Sequence, residues 1–125
     1  MFFQKIGKDY PNISYVTNKF NFDRKGKVLS TKGEIIHSMN KDETVLIKIP
    51  QIYKSIKSRK NVILLGDSLG DLGMIKGYKY NNLLKIGFLN FDYDKDLTSF
   101  KRQFDVVLEG DGDFSYVNEI IRELE

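Results

Sequence analysis

Gly66-Asp67-Ser68-Leu69-Gly70-Asp71 sets two carboxylates four residues apart in a glycine-rich loop. With one at the end of a strand and the other at the start of a helix, both can converge on a single divalent cation. Oxygen donors completed by a few waters suit Mg2+. The glycines let the backbone turn tightly and approach a ligand with no Cβ in the way. A purely structural reading competes with this one. Asp71 is a good N-cap for the helix it opens, Ser68 can cap as well, and Asp67 can face solvent.

The flanking elements would place this loop at a sheet edge. Asn61-Val-Ile-Leu-Leu-Gly66 is a short run of β-branched and aliphatic residues, expected as a strand buried on both faces. After a turn over Asp67 to Gly70, a short helix is expected from Asp71 to Lys76, ended by Gly77. Leu83–Leu89 reads as a second strand, Asp94–Gln103 as a helix and Phe104–Leu108 as a third strand. Phe114–Leu124 reads as an amphipathic helix with Val117, Ile120, Ile121 and Leu124 on one face. Strands alternating with helices imply an α/β fold with a parallel, doubly wound sheet.

Upstream the pattern is less regular. Ile13–Thr17 is expected as a strand, and Phe20–Phe22, the turn Asp23–Gly26 and Val28-Leu29 as a hairpin that Glu34–His37 extends. Pro50–Ile56 is expected as a helix, with proline in its first turn. A right-handed crossover from it would put Asp67 at the carboxyl end of an interior strand, the edge where open α/β sheets bind ligands.

Composition narrows the function. The 125 residues are 41% hydrophobic and 30% charged, with only two prolines, which fits one small folded domain or part of one. Zero cysteines and one histidine exclude disulfide frameworks, thiolate chemistry and multi-histidine zinc sites, so a metal here would be held by oxygen. No apolar window is long enough to span a membrane, and the amino terminus lacks the apolar stretch of a signal peptide, so the expected location is cytoplasmic. Net charge is +3, divided as +8 over residues 1–60 and −5 over residues 61–125. The lysines of the basic half lie scattered and no nucleic-acid module signature accompanies them, so no nucleic-acid partner is expected.

Lys32-Gly-Glu-Ile-Ile-His37, Asn40-Lys41 and Asn61-Val-Ile-Leu-Leu-Gly-Asp-Ser-Leu-Gly-Asp-Leu-Gly-Met74 closely resemble the cytosolic pyrimidine 5′-nucleotidases of the type III family, within the haloacid dehalogenase superfamily. Lys85–Asn90 and Phe104–Leu108 keep the same order and spacing, so the resemblance covers nearly the whole chain. It implies a Rossmann-like parallel sheet and hydrolysis of nucleoside 5′-monophosphates, pyrimidine ones foremost, with Mg2+ as cofactor. By position it makes Lys41 the phosphate-binding lysine, Asp67 the metal ligand and Asp71 the second acidic residue, which orients the metal shell. The family register favours Lys41 over its rival Lys32. Those roles suit phosphoryl transfer, which needs positioning and charge neutralisation above all.

The superfamily's Asp-x-Asp-x-Thr strand, its phosphate-holding Ser or Thr and its helical cap have no counterpart at the matching positions. Residues 1–125 therefore resemble the carboxyl-terminal part of the core domain, without cap. Alone, such a chain is expected to be inactive. A noncatalytic domain that binds Mg2+, phosphate or a protein partner is the competing expectation, and the sheet edge left open could support self-association.

Asp94-Lys-Asp96-Leu-Thr98 fits Asp-x-Asp-x-Thr letter for letter, yet it follows the Gly-Asp loop and lies beyond a strand tip, so it reads as a solvated helix start. Asp92, Asp94 and Asp96 imitate a calcium loop but lack its glycine and its bidentate glutamate. Asp111-Gly-Asp113 reads as a turn and N-cap. His37 ends an apolar pair and reads as a packed or edge-strand residue, and Tyr78 and Tyr80 as apolar cover over the sheet.

Overall fold

A computed structural model describes residues 5–7, 10–33, 35–37, 50–90 and 93–124. The chain divides into two compact units, Met1–His37 and Ser38–Glu125.

The first unit holds a β-hairpin. β1 (Phe20–Phe22) pairs antiparallel with β2 (Val28–Thr31), with a register irregularity between Asn21 and Phe22. Asp23 makes the turn: its Oδ1 accepts the amides of Lys25 at 2.8 Å and Lys27 at 2.9 Å, while Gly26 takes φ 80° and donates to the Asp23 carbonyl. The hairpin thus forms where expected. Ile13–Thr17, expected as a strand, has no ladder partner among the described residues. Nor do residues 35–37 extend the hairpin; instead the Asn18 side chain accepts the Ile36 amide at 2.7 Å and donates to the Ile36 carbonyl at 2.8 Å. A side-chain amide has replaced a strand here.

The second unit is the α/β core. α1 (Pro50–Ile56) leads to β3 (Asn61–Gly66), a 3-10 helix (Leu69–Ile75), β4 (Asn82–Leu89), α2 (Tyr93–Gln103), β5 (Val106–Glu109) and α3 (Ser115–Glu123). The three strands form a parallel sheet in the order β3-β4-β5. Here β4 is central, so among the described residues β3 is an edge strand, not the interior strand expected from its apolar run.

Alternation along β4 sends side chains to two hydrophobic clusters. Ile86 and Phe88 pack with Val117 of α3, joined by Ile63, Leu65, Leu84, Val106, Leu108 and Ile120. Leu89 packs with Phe100 and Phe104, joined by Leu72, Leu97 and Val107. Helices α3 and α2 thereby serve separate clusters, as a doubly wound sheet requires. Of the stripe expected on α3, Val117 is buried and Ile120 half-buried, whereas Ile121 and Leu124 are exposed. Among the described residues no helix is long and apolar enough to cross a membrane.

β5 begins two residues later than expected. The Phe104 amide still donates to the Phe100 carbonyl at 2.8 Å, and the two rings stack with centroids 5.1 Å apart. Phe104 therefore closes α2 instead of opening β5. Its ring lies over Gly87, where a Cβ would come within 2.8 Å of Phe104 Cγ and 2.9 Å of Phe100 Cδ1.

Two outcomes follow from this packing. Gly87→Ala should cost about 1–3 kcal/mol and Phe104→Ala about 3–5 kcal/mol in urea unfolding. The double variant should cost less than the two combined, because removal of the ring makes room for the new methyl; strict additivity would refute the contact. At the start of α3, Asp113 Oδ1 accepts the Ser115 amide at 2.9 Å, and this bond, with one from the Ser115 side chain, holds the Asp113 carboxyl below its ordinary 3.8. A depressed carboxyl stabilises the fold above its unfolded value and ceases to as pH falls through the folded one. Asp113→Ala should accordingly make acid unfolding below pH 3.8 less steep, as followed by circular dichroism, and an unchanged acid limb would contradict it.

Candidate functional site

β3 ends in Gly66, which is buried, and the next two residues bend outward at the strand tip. Ser68 is extended (φ −143°, ψ 155°) and caps the 3-10 helix, whose first turn returns Asp71 beneath the loop. The Asp71 amide donates to the Ser68 carbonyl at 3.1 Å. Its carboxylate Oδ2 in turn accepts the amides of Asp67 and Ser68, both at 3.1 Å, and the Ser68 hydroxyl at 3.3 Å. Asp71 is only 5% exposed, so these donors replace the water its charge would otherwise need.

Gly66 makes the approach possible. A Cβ there would lie 2.7 Å from the Asp71 Cβ and 3.1 Å from Oδ2. Sequence reasoning valued this glycine for the turn; its specific requirement is space for a carboxylate.

The two acidic residues thus hold different positions. Asp67 is exposed at the carboxyl end of β3, while Asp71 is buried and bonded to the loop backbone. The helix expected from Asp71 starts two residues earlier, as a 3-10 helix, and this puts Asp71 inside the first turn with Ser68 as the cap. Among the described residues no three His, Cys, Asp or Glu side chains gather as a metal-holding group.

Lys41 lies outside the described residues. Lys32 is exposed beside the hairpin, its amide donating to the Lys19 carbonyl at 2.7 Å, and His37 is exposed. The Asp94–Thr98 sequence lies inside α2 and away from any strand tip, as expected, while Asp92 lies outside the described residues. Asp113 caps α3 from one residue before its N-cap position. Tyr78 does more than cover the sheet: its hydroxyl donates to the Ile56 carbonyl and also lies 2.7 Å from the Arg59 carbonyl.

Sequence reasoning passed over the pairing of Gly66 with Gly87 in the β3–β4 register. Two glycines side by side in adjacent parallel strands face the same way, and the only signal was that each sits near the end of an apolar run.

Asp71→Ala would leave the amides of Asp67 and Ser68 without their acceptor and should cost about 1–3 kcal/mol. Gly66→Ala should disturb the same loop by displacing the Asp71 side chain. Amide hydrogen exchange at Asp67 and Ser68 checks both, since either variant should speed it; unchanged protection would mean that Asp71 does not hold the loop.

Known proteins resemble this chain in sequence and fold. The profile of the pyrimidine 5′-nucleotidase (UMPH-1) family matches residues 1–125. The chain is 38% identical over 120 residues to the 7-methylguanosine phosphate-specific 5′-nucleotidase B of Xenopus laevis, covering 95% of this chain and 41% of that protein. With the 7-methylguanosine phosphate-specific 5′-nucleotidase of Homo sapiens it is 35% identical over 116 residues, covering 92% and 38%. The solved structure of cytosolic 5′-nucleotidase IIIB bound to cytidine superposes with a TM-score of 0.82 at 30% identity, covering 98% of this chain and 41% of that one. The chain therefore spans about two fifths of the length of these relatives. A family profile matched from end to end, by a chain with the parallel sheet and the Gly-Asp loop at a strand tip, places this chain in the pyrimidine 5′-nucleotidase (UMPH-1) family.

Proposed function

We propose that this chain is the metal- and phosphate-handling part of a cytosolic, Mg2+-dependent 5′-nucleotidase, which hydrolyses nucleoside 5′-monophosphates to nucleoside and phosphate. The observation that carries the reading is the hold of the buried Asp71 carboxylate on the amides of Asp67 and Ser68. It fixes Asp67 at the strand end where open α/β sheets take their ligands.

The residues present suit Mg2+. This ion keeps several waters and is commonly bound through one or two carboxylates together with substrate phosphate, so it does not require three gathered protein ligands. Asp67 offers the exposed carboxylate and Asp71 positions it through the loop backbone. Bound there, the cation supplies the charge neutralisation that phosphoryl transfer demands. Lys41 is assigned to the substrate phosphate, for which a flexible point charge is well suited.

The outer edge of β3 has no ladder partner among the described residues. A strand paired in parallel there would end about 5 Å from Asp67. The nucleophilic carboxylate and its general-acid neighbour are assigned to that position in the longer protein. The substrate class rests on the names of the relatives, which include both cytidine and 7-methylguanosine phosphate.

A second reading, a noncatalytic module that binds Mg2+ or phosphate, is favoured for the isolated chain because its described residues hold no nucleophile at a strand tip. The isolated chain should release no phosphate from cytidine or 7-methylguanosine monophosphate, with or without Mg2+. Mg2+ should nevertheless shift the Asp67 and Ser68 amide resonances saturably, and Asp67→Asn should abolish that response. In a longer protein containing these residues, Asp67→Ala should lower Mg2+-dependent turnover by at least about 10³-fold, a loss of about 4 kcal/mol. Turnover retained in that variant would overturn the assignment.

A further inference from the structure

Lysines that stand apart in the sequence meet at the amino-terminal end of the parallel sheet. α1 enters β3 through Lys57–Lys60, and the 3-10 helix enters β4 through Lys76–Asn81. Backbone bonds sew the two connections together. The Tyr78 hydroxyl donates to the Ile56 carbonyl, the Lys60 ammonium donates to the Lys79 carbonyl at 3.3 Å, and the amides of Asn81 and Asn82 reach the Lys60 carbonyl at 2.8 and 3.2 Å.

No aspartate or glutamate occurs between Thr44 and Gly66 or between Leu72 and Phe91. Lys54, Lys57, Arg59, Lys76 and Lys79 are exposed, and none forms an ion pair among the described residues. Lys54 lies in the last turn of α1, and Lys57 follows directly after the helix. Aromatic rings interleave with these charges: Tyr53 is 41% and Tyr80 42% exposed. An open cleft of about 650 Å³ is lined by Leu72, Ile75, Lys76, Tyr78, Lys79 and Tyr80, and a second of about 320 Å³ runs from Arg59 and Tyr78 over the apolar residues Ile56, Val62, Ile63 and Met74.

We propose that this end of the sheet binds single-stranded nucleic acid. Unpaired cations spaced along a groove track a phosphate backbone, and exposed tyrosines between them provide faces on which bases stack. An acidic peptide would use the charges but not the rings, and a lipid surface would favour a flat or convex apolar contact over an open cleft. The surface lies about 20 Å from Asp67, the length of β3, and is independent of the nucleotidase reading.

The probe is a fluorescein-labelled 12-nucleotide oligoadenylate, followed by anisotropy with the 125-residue chain. Five neutralised phosphates give a log–log salt slope of about −3.5, so affinity should fall about 100-fold between 50 and 200 mM NaCl. Lys76→Gln with Lys79→Gln should reduce that fall to about 20-fold, since two fewer contacts release counterions. Tyr80→Ala should weaken binding at least about fivefold at every salt concentration and leave the slope unchanged. Lys25→Gln with Lys27→Gln, in the hairpin, should change neither quantity. All the substituted side chains are exposed, and matching urea midpoints would establish that the variants fold. The proposal is overturned by an absence of saturable binding, by a slope that the Lys76 and Lys79 changes do not move, or by the hairpin pair having the same effect. Equal competition by polyglutamate together with a silent Tyr80→Ala would also overturn it, in favour of an acidic-peptide surface.

Discussion

A carboxylate that is 5% exposed is tolerated only where donors replace its water, and around Asp71 those donors are the loop that carries Asp67. Several features of the second unit follow from that requirement. Ser68 must be extended so that its amide and hydroxyl face inward, and the helix must begin tightly enough to return Asp71 beneath them. Residue 66 must lack a Cβ, because one would lie 2.7 Å from the Asp71 Cβ. Gly66 also stands beside Gly87, whose missing Cβ admits the rings of Phe100 and Phe104. The paired glycines lower one face of the sheet, so the 3-10 helix and α2 both come close to it. The chemistry of the loop and the packing of the aromatic cluster depend on the same bare patch of backbone.

Charge divides along the strands. At the carboxyl ends stand Asp67, Asp71, Glu109, Asp111 and Asp113, whereas the amino ends carry Lys57, Arg59, Lys60, Lys76 and Lys79. A phosphate approaching the carboxyl edge meets negative potential, so chemistry on a phosphate there calls for a cation and a lysine to reverse the local field. At the other edge no aspartate or glutamate interrupts the connections into β3 and β4, and Asp105, just before β5, stands beside Lys85.

The parallel core was legible because its apolar runs are short, separated by turn residues and alternate with helical spacing. β3 was expected with the bounds it has, and β4 and α2 within a residue of theirs. Phe104 was misplaced because an apolar residue at a helix end and one at a strand start look alike in a sequence; only the ring stacked on Phe100 distinguishes them. The strand expected over Ile13–Thr17 has no ladder partner among the described residues, and the neighbouring Asn18 pairs its side chain with the Ile36 backbone, a contact that alternation does not encode. Likewise, the apolar run of β3 marked a strand correctly, but the strand is half-buried instead of buried on both faces and lies at the edge of the order, which depends on what lies beyond it. At the candidate site the two aspartates were legible from spacing, and their division of labour was not. Which of them is buried depends on Ser68 taking an extended backbone and on the helix being 3-10. The basic surface was illegible for a topological reason, since two crossovers separated by a whole strand are needed to bring Arg59 near Lys79.

The bonds that Asp71 Oδ2 accepts from the amides of Asp67 and Ser68 join residues no more than four apart. Such bonds close short loops at small entropic cost. Lys41, the proposed phosphate lysine, stands 26 residues before Asp67 in sequence. On the proposed reading, a cation at Asp67 would meet a loop backbone already held by Asp71. The proposed metal site would accordingly rest mainly on residues 66–71, whereas the proposed capture of a nucleotide phosphate would also draw on residues far apart in the chain.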